Sequence, residues 1–401
     1  MNVNAAASSP SASAPSGRLD SIDALRGLVM ALMALDHARD FFHAGALHGI
    51  DPLDPATTTP VLFFTRWITH FCAPVFLLLA GAGAFLSESR GRTKRDISLH
   101  LLKRGAWLIL LEVTFVQWAG WAWQLDLHAH FALVFWAIGW SMIALAGLVH
   151  LPRRWIAAIG FALIAGHNAL DGIKAADLGA WGPLWHVLHE GGEVALGGGH
   201  RLLAGYPLVP WIGVMAVGYA FGGWLLLSPP ERRRRLVLAG ASCVGLFVLL
   251  RATGIYGDPR PWAPQSPGND SLYSFLSCAK YPPSLCYLLM TLGPALLLLA
   301  WWDRSRPAWT TPLVAIGRVP MFFYLLHLPL LHGLSLAVSL VTWGRAEWLF
   351  GFPGASAPAG VGTGLPAVYL AWLAALALLH LACRWFEVLK RRRKDAWLAY
   401  L

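Results

Sequence analysis

Long apolar runs separated by polar segments recur along most of the chain. Because a helix needs about 20 mostly apolar residues to cross a bilayer, this pattern predicts an all-α polytopic membrane protein with ten transmembrane helices. Residues 1–17 contain neither an apolar run nor a charge and predict a disordered tail, which leaves residues 18–401 as the transmembrane domain. The predicted spans are 22–43, 60–86, 100–122, 131–150, 153–169, 207–227, 235–254, 283–302, 312–341 and 366–386.

Basic residues are concentrated in alternate connecting segments. Short cytoplasmic loops are enriched in Lys and Arg, so the alternation predicts that both termini are cytoplasmic. The segment 170–206 on the opposite side is rich in Gly and aromatic residues, which indicates interfacial or re-entrant structure. The basic segments are 89–96, 152–154, 231–235, 303–306 and 390–395, whereas 44–59 and 123–130 contain no Lys or Arg.

Composition excludes several classes of protein. The chain is 57% hydrophobic and 13% charged, which does not fit a soluble globular protein of this length. The net charge of +10 arises from the short basic clusters between spans, so it indicates membrane topology and not nucleic-acid binding. The five cysteines have no paired metal-type spacing, and we expect neither a disulfide framework nor a bound metal.

The first predicted span carries ionisable groups that lipid rejects. Arg26 and His37 are eleven residues apart, which is three helical turns, and therefore lie on nearly one face. Asp40 follows His37 by one turn, and His43 follows Asp40 by another. Asp36 lies beside this stripe.

The second predicted span adds Arg66 and His70, which are four residues apart. If the first two spans form an antiparallel hairpin, these groups meet His37, Asp36 and Asp40 at one depth. Charged groups inside a membrane face one another or a wet cavity, so a polar pocket is predicted near the non-cytoplasmic side. The ninth span contributes four further polar groups, Arg318, Tyr324, His327 and His332.

The motif Asp23-x-x-Arg26-Gly27, with ten residues between Arg26 and His37, resembles the first-helix signature of the integral-membrane acyltransferase superfamily. Four blocks look like bacterial relatives of the heparan-α-glucosaminide N-acetyltransferase catalytic domain: 18–27, 71–81, 280–295 and 317–329. The resemblance implies a transmembrane acyltransferase in a bacterial cytoplasmic membrane. Such an enzyme moves an acyl group, usually acetyl, from cytoplasmic acyl-CoA to a sugar or related acceptor across the membrane.

The resemblance also implies residue roles. His37 matches the family histidine implicated in catalysis, with Arg26 as its motif partner, and Arg92 and Arg95 match an Arg-x-x-Arg element proposed to contact CoA phosphates. The lysosomal branch has Asn at the position of His37, and its catalytic histidine falls on His43 or His48. The catalytic candidates are therefore His37, Asp36, Asp40, His43, His48 and His70. The acyl-CoA-binding candidates are Arg26, Arg66, Arg92, Arg95, Arg318, Tyr324 and His327.

Two mechanisms fit these residues. A histidine held by Asp36 or Asp40 removes a proton from the acceptor during direct transfer, or a histidine is acylated first and then donates the acyl group. The expected donor is acetyl-CoA, and the expected partners are membrane lipid and a small-molecule or glycan acceptor, with a homodimer left open. A secondary transporter or a lipid or glycan flippase, in which the buried charges relay protons or substrate, is the alternative function.

Overall fold

Helices form most of the computed structural model, which describes residues 19–263, 270–351, 357–393, 395 and 397–398. The predicted tail 1–17 lies outside the described residues. We label the helices of eight or more residues α1 to α11. They are α1 Asp20–Phe42, α2 Pro60–Glu88 with a 3-10 turn at Ile68–Phe71, α3 Lys94–Leu111, α4 Val134–Leu148, α5 Arg153–Gly166, α6 Leu208–Gly222, α7 Pro229–Thr253, α8 Leu285–Arg304, α9 Thr311–Arg318, α10 Pro320–Trp343 and α11 Leu365–Arg392.

Each of the ten predicted spans falls on a helical segment, and the all-α polytopic membrane fold is confirmed. By length and composition, six of the described helices could cross a membrane, namely α2, α6, α7, α8, α10 and α11. A seventh crossing is counted if Arg153–Leu170 and Ala175–Glu190, which meet at 114°, form one span. This count is lower than ten because α1 and α3 carry several charged residues and α4 has 15 residues.

Glycines let neighbouring helices approach closely. In three helix pairs, a Cβ atom added to either glycine would lie within 3.1 Å of the partner glycine's carbonyl oxygen. Small residues at such crossings allow the backbones of membrane helices to pack tightly. The pairs are Gly105 with Gly139 (α3 and α4), Gly160 with Gly213 (α5 and α6), and Gly240 with Gly293 (α7 and α8).

A small sheet interrupts the helical pattern near one end of the bundle. Its strands are β1 Ala129–Ala132, β2 Gly192–Gly197 and β3 His200–Ala204, in the order β1-β3-β2, with β1 parallel and β2 antiparallel to β3. The segment 170–206, expected to be interfacial or re-entrant, thus holds two strands besides short helical turns.

The chain before β1 is a π-helical segment, Glu112–Ala122, which continues α3. Its buried Gln117 donates to the Ala129 carbonyl (2.5 Å) and accepts from the Phe131 N–H (3.3 Å). The buried carboxylate of Glu112 accepts from the Phe135 N–H (2.6 Å) and the Trp136 N–H (3.2 Å) at the start of α4. These bonds fix the walls of the cavities described next.

Candidate functional site

Two adjacent cavities lie along one face of α1. Arg26 and Met30 line the first, and Met33 and His37 line the second. The eleven-residue spacing predicted that Arg26 and His37 lie on one face of α1, and side chains on this face line the two cavities. We call the two spaces the Arg26 cavity and the His37 cavity.

The Arg26 cavity has a volume of about 280 Å³ and mainly apolar walls. Its polar lining comes from Arg26, Ser87, His100, Arg104 and Tyr324. His100 and Arg104 are one turn apart on α3, next to the buried face of that helix. An apolar space with cationic groups in its lining suits an acyl chain attached to an anionic carrier.

The His37 cavity has a volume of about 190 Å³ and a far more polar lining. It gathers side chains from α1, α2, the β1–α4 connection and the segments before α6 and α8. The polar and aromatic lining residues are Asp36, His37, Arg39, Asp40, Arg66, Thr69, Phe76, Trp121, Tyr206, Lys280, Tyr281 and Tyr324.

Three residues, Phe76, Val134 and Tyr324, line both cavities. The Tyr324 ring stacks on Phe135, with ring centres 3.8 Å apart, and Phe135 lines the Arg26 cavity. A thin wall of side chains therefore divides the apolar space from the polar one.

Ionic contacts connect the charged groups of the His37 cavity in a chain. The Arg66 guanidinium donates to Asp36, and Arg39 donates to both Asp36 (3.4 Å) and Asp40 (2.6 Å). Asp40 in turn lies 3.2 Å from His37 Nδ1. Buried charges are tolerated when they are paired in this way.

The contact with Asp40 determines the orientation of the His37 imidazole. An ionised carboxylate can only accept hydrogen bonds, so this contact favours the neutral tautomer with hydrogen on His37 Nδ1 and the lone pair on Nε2. The His37 ring packs edge-on against Trp121, with ring centres 4.7 Å apart. This geometry is that of a general base held by a neighbouring carboxylate.

A second imidazole lies beside His37. The ring centre of buried His327 is 5.3 Å from that of His37, and its Nδ1 donates to the Tyr324 carbonyl (2.5 Å). His327 Nε2 has no hydrogen-bond partner among the described residues. His327 thus supports the ring of His37 from behind and does not line either cavity.

The other candidate histidines do not line the His37 cavity. His70 was expected to join it, but its buried ring faces Tyr287, whose hydroxyl donates to the His70 carbonyl (2.8 Å). His43 ends α1 and pairs through its backbone with residue 363, and the His48 ring contacts the Val361 carbonyl (3.2 Å). His70 lies within the 3-10 turn Ile68–Phe71 of α2, which interrupts the regular α-helical spacing between Arg66 and His70.

Two of the candidate arginines join helix ends. Arg26 donates to Asp23 (3.0 Å) and to the Gly317 carbonyl (3.1 Å), which ties α1 to α9 while its side chain lines the Arg26 cavity. Arg318 donates to Glu387 (2.8 Å) and to Asp20 (3.1 Å) and lines neither cavity. Arg318 therefore links α1, α9 and α11 and has no contact with a ligand space.

Arg92 and Arg95 are exposed at the start of α3, outside both linings. Thr93 caps this helix: its hydroxyl donates to Asp96 (2.6 Å), and its hydrogen bonds hold the pKa of that carboxyl below its usual value. At 1.5 Å per residue, Arg104 lies about 14 Å beyond Arg95 along α3. The predicted phosphate contacts thus lie on the helix that leads to the Arg26 cavity.

Sequence reasoning did not select several residues of the site. His100 and Arg104 are an i, i+4 polar pair beside the buried stripe of α3, and that spacing was the available signal. Lys280 begins one of the blocks quoted for the resemblance, but a single Lys outside a span gives no signal for a buried site. Trp121, Tyr206 and Tyr281 had no signal beyond their residue type.

A family model described as "Heparan-alpha-glucosaminide N-acetyltransferase, catalytic" matches residues 18–251, which is more than half of the chain. The matched part contains α1 to α6 and most of α7. It therefore includes Arg26, His37, Arg66 and the α3 side of the Arg26 cavity. A comparison with curated proteins finds no match.

Proposed function

Because the chain belongs to the family of the heparan-alpha-glucosaminide N-acetyltransferase catalytic domain, we propose that this membrane acetyltransferase uses acetyl-CoA from the cytoplasm as donor. The acceptor is a sugar or related molecule on the opposite side of a bacterial cytoplasmic membrane. The observation that carries the proposal is the pair of adjacent cavities, one apolar and one polar, with a carboxylate-held histidine in the second.

The Arg26 cavity is the proposed donor site. Its apolar walls would hold the acyl-pantetheine arm, and Arg26 and Arg104 supply cationic groups along it, with His100 as a further polar group. Arg92 and Arg95 at the start of α3 would contact the nucleotide phosphates, since guanidinium groups form bidentate contacts with phosphate. Arg-rich loops favour the cytoplasmic side of a membrane, which supports donor entry from there.

The His37 cavity is the proposed acceptor site. His37 Nε2 accepts the proton of an acceptor hydroxyl or amine as that atom attacks the thioester carbonyl. The C–S bond breaks, the acyl group remains on the acceptor oxygen or nitrogen, and the CoA thiolate leaves and takes up the proton from His37. Asp40 keeps the hydrogen on Nδ1 throughout and stabilises the transient imidazolium.

The test uses purified protein in detergent with radiolabelled acetyl-CoA. We expect acetyl-CoA to raise the unfolding temperature, since a ligand at 100 times its Kd stabilises the native state by about 2.7 kcal/mol. His37→Ala should abolish transfer to a mixture of envelope glycans while retaining this stabilisation, because His37 does not line the Arg26 cavity.

His150→Ala serves as the control because His150 is exposed and lines neither cavity. Full turnover in the His37 variant would move the base role to another residue, with His43, His48 and His70 tested next. Absence of both stabilisation by acetyl-CoA and acetyl transfer in the wild type would favour a transporter or flippase.

A further inference from the structure

Lys280 places a cation in the wall of the His37 cavity. The residue is only 8% exposed, and its side chain lines the cavity. In the described part of the chain, no carboxylate oxygen lies within 4.0 Å of its ammonium group. The ammonium lies 5.1 Å from the ring centre of Tyr281, and its nearest charge partner in the cavity is the more distant carboxylate of Asp36.

The carboxylates of the cavity are already engaged by other groups. Asp36 accepts from Arg66 and Arg39, and Asp40 accepts from Arg39 and contacts His37. The lining therefore contains three fixed cations, Arg39, Arg66 and Lys280, against two carboxylates. An excess of buried positive charge is costly, and an anion that enters the cavity would balance it.

The backbone around Lys280 is held rigidly. Asp258 accepts from the Ala279 N–H (2.9 Å) and from the Ser284 hydroxyl (2.6 Å), on either side of Lys280. Asp258 is itself paired with buried Arg251 (3.5 Å), which also donates to the Ser277 carbonyl (3.1 Å). These bonds prevent the segment from moving Lys280 out toward water, as a flexible loop would allow.

Lys280 and the proposed base lie in different parts of the wall. His37 packs against Trp121 and His327, whereas Lys280 precedes Tyr281, whose hydroxyl lies 3.4 Å from that of Tyr206. A molecule that fills the space could therefore meet His37 with one group and Lys280 with another.

We propose that Lys280 binds an oxyanion of the acceptor, a carboxylate or a phosphate on the same sugar that presents the acylated hydroxyl or amine. The inference rests on the proposed function and narrows its acceptor class to anionic glycans. Lys280 recognises the acceptor and takes no part in the proton transfer.

The test compares matched sugars that differ in one group. The probes are methyl β-glucoside, methyl β-glucuronide and methyl β-glucoside 6-phosphate, with binding followed by tryptophan fluorescence, because Trp121 lines the cavity. Because a charge-assisted contact strengthens binding, we expect the Kd of the better anion for the wild-type protein to be lower than that of methyl β-glucoside by about tenfold or more. Which of the two anions binds more tightly identifies the oxyanion.

Two variants of Lys280 and one control variant examine the residue itself. Lys280→Met should bring the anion-to-glucoside ratio of Kd values close to one, and Lys280→Arg should retain most of the preference. Lys174→Met is the matched control, because Lys174 is an exposed lysine outside both cavities. If neither anion binds the wild type more tightly than methyl β-glucoside does, or if neither anion binds detectably, the inference is overturned even if Lys280→Met fails to fold.

The outcomes separate this inference from the proposed function. Stabilisation by acetyl-CoA and transfer of its acetyl group test the proposed function without reference to acceptor charge. If the protein transfers acetyl equally well to charged and uncharged sugars, the acyltransferase proposal stands and the role of Lys280 is wrong. If anions bind at Lys280 but acetyl-CoA does not, the acyltransferase proposal fails and the anion site remains.

Discussion

The proposed chemistry depends at the scale of single residues on the contact between Asp40 and His37. Asp40 also accepts from Arg39, so its carboxylate is fixed from one side while it contacts Nδ1 from the other. These contacts favour one tautomer and one orientation of the imidazole, whereas a solvent-exposed histidine would have no such restriction.

Asp40→Asn tests this arrangement. The amide can donate to Nδ1, which favours the tautomer with hydrogen on Nε2 and removes the basic lone pair from the cavity. We expect the rate of acetyl transfer to fall by about 10²–10⁴-fold, the usual contribution of a positioned base. The measurement is kcat with saturating acetyl-CoA.

The control for this change is Asp177→Asn, because Asp177 is exposed and outside both cavities. Thermal unfolding of both variants shows whether the fold is retained. An Asp40→Asn protein that folds and turns over at the wild-type rate would contradict the assignment of His37 as base.

The sequence could predict some residues of the site and not others. Arg26 and His37 belong to one continuous helix, so helical periodicity alone places them on one face. Lys280 reaches the same cavity because Asp258 and Arg251 hold its segment in place, and such contacts between distant parts of the chain leave no periodic signal. His70 does not line the cavity for a related reason, since it lies in the 3-10 turn Ile68–Phe71, which breaks the α-helical spacing from Arg66.

Glycine contacts determine how closely the helices pack at the scale of elements. Gly240 on α7 meets Gly293 on α8, and a Cβ at residue 240 would lie 2.8 Å from the Leu297 side chain and 2.9 Å from the Gly293 carbonyl oxygen. On the same helix, a Cβ at Gly245 would meet no atom within 4 Å. The two positions therefore form a matched pair.

We expect Gly240→Ala to lower stability by about 1–3 kcal/mol, because added atoms in a tight contact force the helices apart. Gly245→Ala should be neutral or slightly stabilising, since Ala is the better helix former. Thermal unfolding in detergent measures both. Equal unfolding temperatures for the two variants would show that the α7–α8 contact tolerates expansion.

The small sheet shows why the sequence predicted the bounds of the spans less accurately than it predicted the fold class. Residues 129–132 continue without a break into the apolar start of α4, and a short apolar run is compatible with either a buried strand or a helix. Pairing with β3 and the hydrogen bonds of Gln117 decide in favour of a strand. Both are tertiary contacts, and neither can be read from local periodicity.

At the scale of the whole molecule, the proposed function assigns donor and acceptor to separate cavities. Arg92→Ala and Arg95→Ala should each raise the KM for acetyl-CoA by about 1.5- to 5-fold, because exposed charge pairs contribute 0.2–1 kcal/mol. The KM for acetyl-pantetheine, which lacks the nucleotide phosphates, should not change. Initial rates with both donors provide the measurement.

Arg154→Ala is the control for these changes, since Arg154 is an exposed arginine at the start of α5. If the KM for acetyl-pantetheine rises as much as the KM for acetyl-CoA, the substitutions of Arg92 and Arg95 act by disturbing the structure at the start of α3 and not by removing phosphate contacts. A raised KM for acetyl-CoA in Arg154→Ala would indicate a general effect of positive surface charge.

The wall between the cavities should keep water away from the thioester until an acceptor is present. Phe76 is the part of this wall that α2 contributes, and Phe76→Ala would join the polar space to the apolar one. Because water in the His37 cavity could then reach the bound thioester beside a general base, we expect hydrolysis of acetyl-CoA to rise relative to transfer. Release of free CoA without acceptor, compared with transfer to acceptor, measures this ratio.

Phe85→Ala on the same helix is the matched control, because Phe85 is also half-buried but packs on Tyr219 and lines neither cavity. The same preparation separates the two mechanisms for the wild type, because exchange of label between CoA and acetyl-CoA without acceptor requires a covalent acyl-enzyme, as an acylated histidine would be. Absence of exchange, together with faster hydrolysis in Phe76→Ala, supports direct transfer across the wall. An unchanged hydrolysis rate in that variant would show that the side chain of Phe76 does not separate the two substrates.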